Sequence, residues 1–244
     1  MRAPGPNELM ERWERAQALP TVERPLALLA TVDDAAAWAE WERMPLGRRD
    51  AQLLALREQT FGPELQCLAD CPRCQTPVEF SVPARELQLP PANDDLPLSL
   101  TRAGLTLAFR LPNTTDLAAA ATERDPAAAR RRLFTRCLLS ATREDGAAVA
   151  PDAVPDDLVH AAGERMAEAD AQADVVFALR CPQCGGAWEA SFDVTAFFWQ
   201  ELQTWARRLL REVHELASAY GWSQGEILAL SPARRHAYLE LIRA

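Results

Sequence analysis

Two short copies of one pattern constrain this chain more than anything else in it: Cys71-Pro72-Arg73-Cys74 and Cys181-Pro182-Gln183-Cys184. Superposed, Cys71, Pro72, Cys74, Glu79 and Ser81 meet identical residues at Cys181, Pro182, Cys184, Glu189 and Ser191. Each copy follows a β-like run, Glu64 to Ala69 or Val175 to Leu179, and leads into another. Val78, Phe80 and Val82 alternate after the first; Trp188, Ala190, Phe192 and Val194 alternate after the second. Alternation at period two marks a half-buried strand. Strand, knuckle, strand, given twice, is the pattern of a zinc ribbon: two residues between thiolates let one tight turn aim both sulfurs at the same ion. Proline sets the φ of the turn, and Gly185-Gly186 supplies the positive φ that follows.

The knuckles stand much farther apart than the roughly 15–20 residues of an ordinary ribbon. Closure entropy grows only logarithmically, so the added length costs about 1–2 kcal/mol. Zinc binding at such sites is worth on the order of 10–16 kcal/mol. The spacing therefore predicts one shared site, with Cys71, Cys74, Cys181 and Cys184 holding one zinc per chain. A disulfide pair is the first alternative, disfavoured for an intracellular chain. Unrelated turn cysteines and a thioredoxin-like redox pair are the others, and the duplicated flanks count against both. A catalytic zinc needs an open position and usually His or carboxylate ligands. Four thiolates leave none open, and His160, His214 and His236 all lie away from the knuckles. The site reads as structural.

Composition narrows the function classes. Apolar residues make up 48% of 244, ordinary for a globule, and no window approaches 18 consecutive apolar residues, so no membrane insertion is expected. Met1 to Asn7 lacks the basic and apolar run of a secretory signal, and a cytoplasmic chain is expected. The net charge is −9 and every basic residue is Arg. Affinity for phosphate backbones rests on a basic surface, so nucleic acid is a disfavoured partner. There is no Gly-rich phosphate loop, no Ser nucleophile elbow and no His-Glu-x-x-His. His214, with Glu212 and Glu215 close by, reads as a solvated helix residue. No catalytic residue, small-molecule substrate or enzymatic activity is expected.

The predicted fold class is α+β and predominantly helical: a split zinc ribbon of small antiparallel β structure, a mainly helical insertion between its halves, and a helical C-terminal module. The boundaries are 1–62 for N-terminal helices, 63–83 plus 175–195 for the ribbon, 84–174 for the insertion and 196–244 for the C-terminal module. Residues 1 to 20 hold Trp13 amid polar residues and read as a mobile or partner-dependent arm. A short apolar helix over Pro25 to Ala30 runs on through Asp33-Asp34 to Trp38 and Trp41, whose spacing puts both on one face packed in a core. A helix over Arg48 to Thr60 ends at Gly62-Pro63. Cys67 alternates with Leu65 and reads as a buried strand thiol. Pro83 to Pro97, with Asn93-Asp94-Asp95, looks like a linker. A β-hairpin turns near Arg102 to Gly104, and Asn113 or Thr115 caps the helix after it. Asp125-Pro126 opens another, carrying Leu133, Phe134, Cys137, Leu138 and Ala141, with Cys137 on its core face. Its arginines, Arg130 to Arg132 and Arg136, read as a solvated face. After the Gly146 to Pro155 loop, a helix over Leu158 to Ala171 carries a thin apolar face. The strongest helical signal is Phe198, Leu202, Trp205, Leu209, Val213, Leu216 and Tyr220, one continuous stripe stopped by Gly221. A capping box at Ser223–Glu226 and a cap at Ser231-Pro232 open two last short helices.

Several stretches resemble a known family. Leu46-Gly47-Arg48-Arg49-Asp50 to Leu56, Phe61-Gly62-Pro63 and the first knuckle carry it, with the second knuckle. So does the ending Tyr220-Gly221-Trp222-Ser223, Ile227 to Leu230, Arg234-Arg235 and Tyr238-Leu239. Together they resemble baseplate-associated proteins of contractile tails: the T-even-like phage baseplate hub and assembly proteins and their relatives in bacterial contractile injection systems. The resemblance implies a non-enzymatic structural or assembly (chaperone-like) role in the baseplate of a phage tail-like particle, with other baseplate or tail proteins as partners. The aromatic C-terminal stripe exceeds what a small ribbon can cover, which points to Trp222 and Tyr238 as partner-binding residues. Two other classes stand beside this one: a zinc-ribbon adaptor for nucleic acid or transcription machinery, and an enzyme or redox protein using one Cys-x-x-Cys pair.

Overall fold

The computed structural model describes residues 4–30, 35–92 and 96–243. Within them the chain is mixed α+β, more helix than strand, with three small antiparallel sheets. The amino-terminal segment is not an arm. It forms helix α1 (Pro6–Gln17), whose Leu9, Met10, Trp13 and Ala16 make a stripe at helical spacing that packs into the molecule. In the sequence Trp13 stands among charges, but two of those charges have structural partners. The Arg12 guanidinium donates to Leu28 O, and Arg15 donates to Ala27 O and Ala30 O, each at 2.9 Å. Those carbonyls end helix α2 (Arg24–Leu29), where four C=O groups lack intrahelical partners and a cation is favoured. The Asp33-Asp34 link lies outside the described residues. Helix α3 (Ala35–Arg43) follows, its Trp38 and Trp41 half-buried against the core, and then α4 (Leu46–Phe61).

Strands β1 (Glu64–Asp70) and β2 (Pro77–Pro83) form an antiparallel hairpin with Cys67 opposite Phe80 and Leu65 opposite Val82. Leu65 and Cys67 face the core. The expected second hairpin is present as β3 (Leu98–Arg102) and β4 (Leu105–Phe109), but a third strand joins it. Helix α5 (Thr114–Ala120) is capped by Asn113 in a capping box with Asp116, and α6 (Pro126–Cys137) by Asp125. Leu138 and Ala141, expected to prolong α6, belong instead to strand β5 (Leu138–Arg143), which pairs with β4. Leu138 is extended (φ −65°, ψ 127°), so the chain turns from helix to strand with no loop. Helix α7 (Asp156–Ala169) closes this unit, burying Leu158, Val159, Ala162 and Met166 against Leu107, Phe109, Phe134 and Cys137.

Of the α6 arginines Arg130, Arg132 and Arg136 are exposed, in keeping with a solvated face, but three of the four also hold partners. Arg131 binds Val154 O and Asp156, Arg132 binds Glu123, and Arg136 shares the fully buried Asp116 with Arg110. Burial alone would raise the Asp116 carboxyl; hydrogen bonds from Arg110 and the Asn113 N–H, with Arg136, outweigh it and hold the group below the usual carboxylate range.

The chain then forms β6 (Val176–Arg180) and β7 (Ala187–Ser191), a second two-stranded hairpin, and the long α8 (Val194–Tyr220). Phe198, Leu202, Leu209 and Leu216 of its stripe are buried, while Trp205 and Val213 are partly so. Gly221 ends the helix in the left-handed region at φ +69°. Helices α9 (Gln224–Ala229), with its Ser223–Glu226 capping box, and α10 (Pro232–Arg243) fold back on α8 through Ile227, Leu239 and Leu216.

One contact ties the far end of the central segment to α4. Pro45 is the N-cap of α4 and supplies no side-chain bond; the Asp170 carboxylate, from beyond α7, accepts from the Gly47 N–H at 2.8 Å. The fit is close enough that a Cβ at residue 47 would lie 1.9 Å from Asp170 Oδ1. Gly47→Ala should therefore destabilise the chain by about 1–3 kcal/mol in urea unfolding, as overpacked buried sites do. Asp170→Ala should cost a similar amount through the unsatisfied N–H. In the double variant the alanine at 47 should add little, and strictly additive losses would contradict the contact. For Asp116 the sign follows from its depressed carboxyl: its stabilisation is present above the unfolded pKa and is lost as pH falls through the folded one. Asp116→Asn should thus be less stable than wild type at pH 7, with the gap narrowing on acidification.

Candidate metal centre

Both knuckles have the same backbone plan. The Cys71 N–H donates to Thr76 O at 3.0 Å and the Gln75 N–H to Cys71 O at 2.8 Å. In the second copy the Cys181 N–H donates to Gly186 O at 2.8 Å and the Gly185 N–H to Cys181 O at 2.9 Å. The residue after each second cysteine is left-handed: Gly185 at φ +70°, as expected, and Gln75 at φ +58°. Gln75 occupies a conformation that favours glycine, a feature the sequence did not signal because nothing at that position marks a turn of this kind. The matched registers make the two loops equivalent platforms for their sulfurs.

Those platforms face each other. The sulfurs of Cys71, Cys74, Cys181 and Cys184 all lie within 4.8 Å of one another. Cys71 Sγ is 3.7 Å from Cys184 Sγ, and Cys74 Sγ is 3.6 Å from Cys181 Sγ. Four sulfurs at ~2.3 Å from a tetrahedral ion stand about 3.8 Å apart, so the donor set fits such an ion. The separations are far beyond a disulfide bond of about 2.05 Å. Cys71 and Cys181 are buried, Cys74 is exposed and Cys184 is intermediate, so each knuckle offers one inward and one outward sulfur. Hydrogen bonds from Thr76 draw the Cys74 thiol down to about 6. At Cys184 the Gly186 N–H pulls the same way, but burial and the neighbouring sulfurs push the thiol up to about 11. One thiolate forms readily here; a second beside it is opposed unless a cation shares the space.

The two hairpins are separate sheets, and aromatic contacts join them. Phe80 meets Phe177 edge-on at 5.2 Å, Phe177 meets Phe192 at 5.4 Å, and Phe192 meets Phe197 at 5.5 Å. This run links β2, β6, the end of the second hairpin and the start of α8. Alternation had marked Phe80 and Phe192 as strand residues, but no pattern shows which rings will meet. Below the run, the Arg57 guanidinium grips Glu201 of α8 with two bonds of 2.8 and 2.6 Å and donates to Gly62 O and Glu64 O at the start of β1.

The remaining cysteines stand apart. Cys67 is a buried strand thiol raised by burial, and Cys137 is buried beside Asp116 and pushed up to about 12 by burial first and that carboxylate second. Both are poor nucleophiles. His160 and His236 contact glutamates on their own helices. Trp222 and Tyr238 lie together at the other end of α8, half-buried, with Trp222 stacked on Tyr220 at 4.7 Å and edge-on to Tyr238 at 4.9 Å. Beside them Leu241 and Ile242 are exposed. No described helix is long and apolar enough to cross a membrane.

Cobalt(II) added to reduced, metal-free protein should give thiolate charge-transfer and tetrahedral d–d absorption that saturate at one equivalent per chain. Cys181→Ser should weaken that binding by more than about tenfold, since even loss of a group that only supports a ligand costs about that much. Saturation at two equivalents would mean that the knuckles act separately.

A protein-family model described as T4 bacteriophage base plate protein matches residues 27–199 of the chain. No curated protein and no solved structure matches it. The matched span runs from α2 to the first turns of α8 and includes both knuckles. The stretch from Tyr220 to Leu239, which carries part of the resemblance noted in the sequence, lies outside it.

Proposed function

The chain belongs to the T4 bacteriophage base plate protein family, and on that premise we propose that it is a non-enzymatic structural or assembly (chaperone-like) protein of the baseplate of a contractile phage tail-like particle or injection system. The family match, covering more than half of the chain, is the observation that carries this reading. In it the protein is made in the cytoplasm and joins, or helps to build, the assembled particle.

The four-sulfur cluster gives the reading its physical form. Cys71, Cys74, Cys181 and Cys184 hold one structural zinc, and the hairpins of 63–83 and 175–195 are the halves of one ribbon that it closes. Zinc bound by four thiolates has no open position, so it supplies cross-linking and no Lewis-acid chemistry. The helices of 1–62 buttress the ribbon, residues 84–174 are an insertion leaving and rejoining it, and 196–244 form a docking module. Support for the docking role comes from Leu241, 68% exposed, and Ile242 and Tyr220, both partly open, which border Trp222 and Tyr238. An apolar edge of this kind on a folded surface fits another baseplate or tail protein.

Affinity purification of the tagged protein from its native host should recover baseplate and sheath proteins in or around tail-like particles. Metal analysis of the same protein, purified without chelators, should give about one zinc per chain, as a single tetrahedral site requires. Trp222→Ala with Tyr238→Ala should abolish co-purification. Because those rings also pack on Ile227 and Leu239, Leu241→Asp with Ile242→Asp serves as the companion variant; zinc content and helicity should be unchanged in it. Folded variants of both kinds that still bring down the same partners would remove the docking role from this module. Recovery with RNA polymerase or DNA instead of tail components would overturn the baseplate role.

A further inference from the structure

The charges of α8 are sorted by side. Its three glutamates all pair with arginines from other elements: Glu201 with Arg57 at 2.6 Å, Glu212 with Arg235 at 3.1 Å and Glu215 with Arg243 at 2.9 Å. The outward side keeps Arg207, Leu210, Arg211 and His214, spaced i, i+3, i+4 and i+7 and all exposed, with Arg208 beside them. Arg208 reaches Glu212 only at 3.8 Å, and Arg207 and Arg211 make no ion pair among the described residues. Leu210, 40% exposed, sits between the two arginines. A chain of net charge −9 thus carries a helix face rich in arginine, with one carboxylate at its margin, Glu215, already held by Arg243.

Helix α7 presents the opposite. Its buried side is Leu158, Val159, Ala162 and Met166, and its exposed side carries Asp157, Glu164 and Glu168 against one arginine of its own, Arg165, with Asp156 at its start held by Arg131. Among the described residues the one ion-pair partner of Glu164 is His160 at 3.5 Å, that of Glu168 is Arg165 at 3.3 Å, and Asp157 has none. Glu164, Ala167 and Glu168 repeat the i, i+3, i+4 spacing of Arg207, Leu210 and Arg211. Ala167, with Gly163 one turn away, leaves room where Leu210 projects. Like faces repel and unlike faces attract; matched charge steers encounter and fixes register.

We propose that the outward face of α8 in one copy docks on the α7 face of a second copy of this chain, Arg207 and Arg211 meeting Glu164 and Glu168 with Leu210 over Gly163 and Ala167. The two surfaces differ, so the contact is heterologous. Every copy offers both, and association continues until a ring closes or a filament grows. This goes beyond the baseplate reading and uses neither the family match nor the metal.

The experiment is sedimentation velocity of the full chain over a concentration series, with two charge-reversed variants: Arg207→Glu with Arg211→Glu, and Glu164→Arg with Glu168→Arg. Wild type should associate at ~0.1 M NaCl and dissociate at ~1 M, where the Debye length falls from about 10 Å to about 3 Å. Each variant alone should be monomeric, its apparent Kd weakened at least about thirtyfold, with helicity and metal content unchanged. An equimolar mixture of the two should associate again, because the reversed faces complement each other. Neutral versions, Arg207→Gln with Arg211→Gln, should give an intermediate loss and stand in if a reversed variant fails to fold. A wild-type chain that stays monomeric at its highest soluble concentration overturns the proposal. So does a folded variant that associates undiminished, or a mixture that stays monomeric.

Discussion

The rest of the structure depends on one buried cation. Arg57 is almost wholly enclosed, and leaving a guanidinium in that position without partners would cost several kcal/mol. Four bonds answer it: two to Glu201 of α8, one to Gly62 O and one to Glu64 O. In a single contact the end of α4, the start of the first hairpin and the helix after the second hairpin are set relative to one another. The planar fork of Arg suits this task; a lysine ammonium could not hold the bidentate carboxylate and two carbonyls in fixed directions. Above that junction the phenylalanine run from Phe80 to Phe197 orients the hairpins, and their tips bring the four sulfurs together. The ability of two distant knuckles to share one ion is therefore prepared from below, in the core.

The legible parts of the sequence were those whose cause is local. Cys-Pro-x-Cys sets its own turn, and the stripe on α8 declares both its helix and its buried side; the flanking alternation sets its own strands except at its end, where Phe192 lies past β7 and Val194, expected in the strand, opens α8 because Asp193 caps the helix there. The same holds for Asp125, Ser223 and Gly221, each acting within one turn of its helix end. Illegible were the elements that depend on a distant partner. Arg12 and Arg15 made α1 look solvent-borne, yet those guanidiniums cap the carbonyls of α2. Leu138 and Ala141 fit a helical face as well as a strand, and the free edge of β4 decided between them. Gln75 in the left-handed region follows from the closed geometry of its knuckle, with no glycine to announce it. The meeting of the sulfurs was readable from duplication; the Asp170 bond that secures the start of α4 was not.

The family match and the arginine face of α8 concern different parts of the molecule. Residues 27–199 hold one larger core, most of the other and both knuckles, whereas the aromatic trio and the arginine face of α8 lie past the matched span.

The separation of the knuckles also has a consequence in time. Cys74 and Cys181 stand 107 residues apart, so at roughly 5–20 residues per second the first pair of thiols leaves the ribosome about 5–20 s before the second. During that interval the four-sulfur cluster cannot exist. The sheet of β3, β4 and β5 with α6 and α7 has a core drawn almost entirely from the intervening chain, and it can condense while the first knuckle waits. Birth order therefore puts the central unit first and the closure of the hairpins last, and a ribosome stalled before Cys181 would release a chain with a finished middle and an open first knuckle.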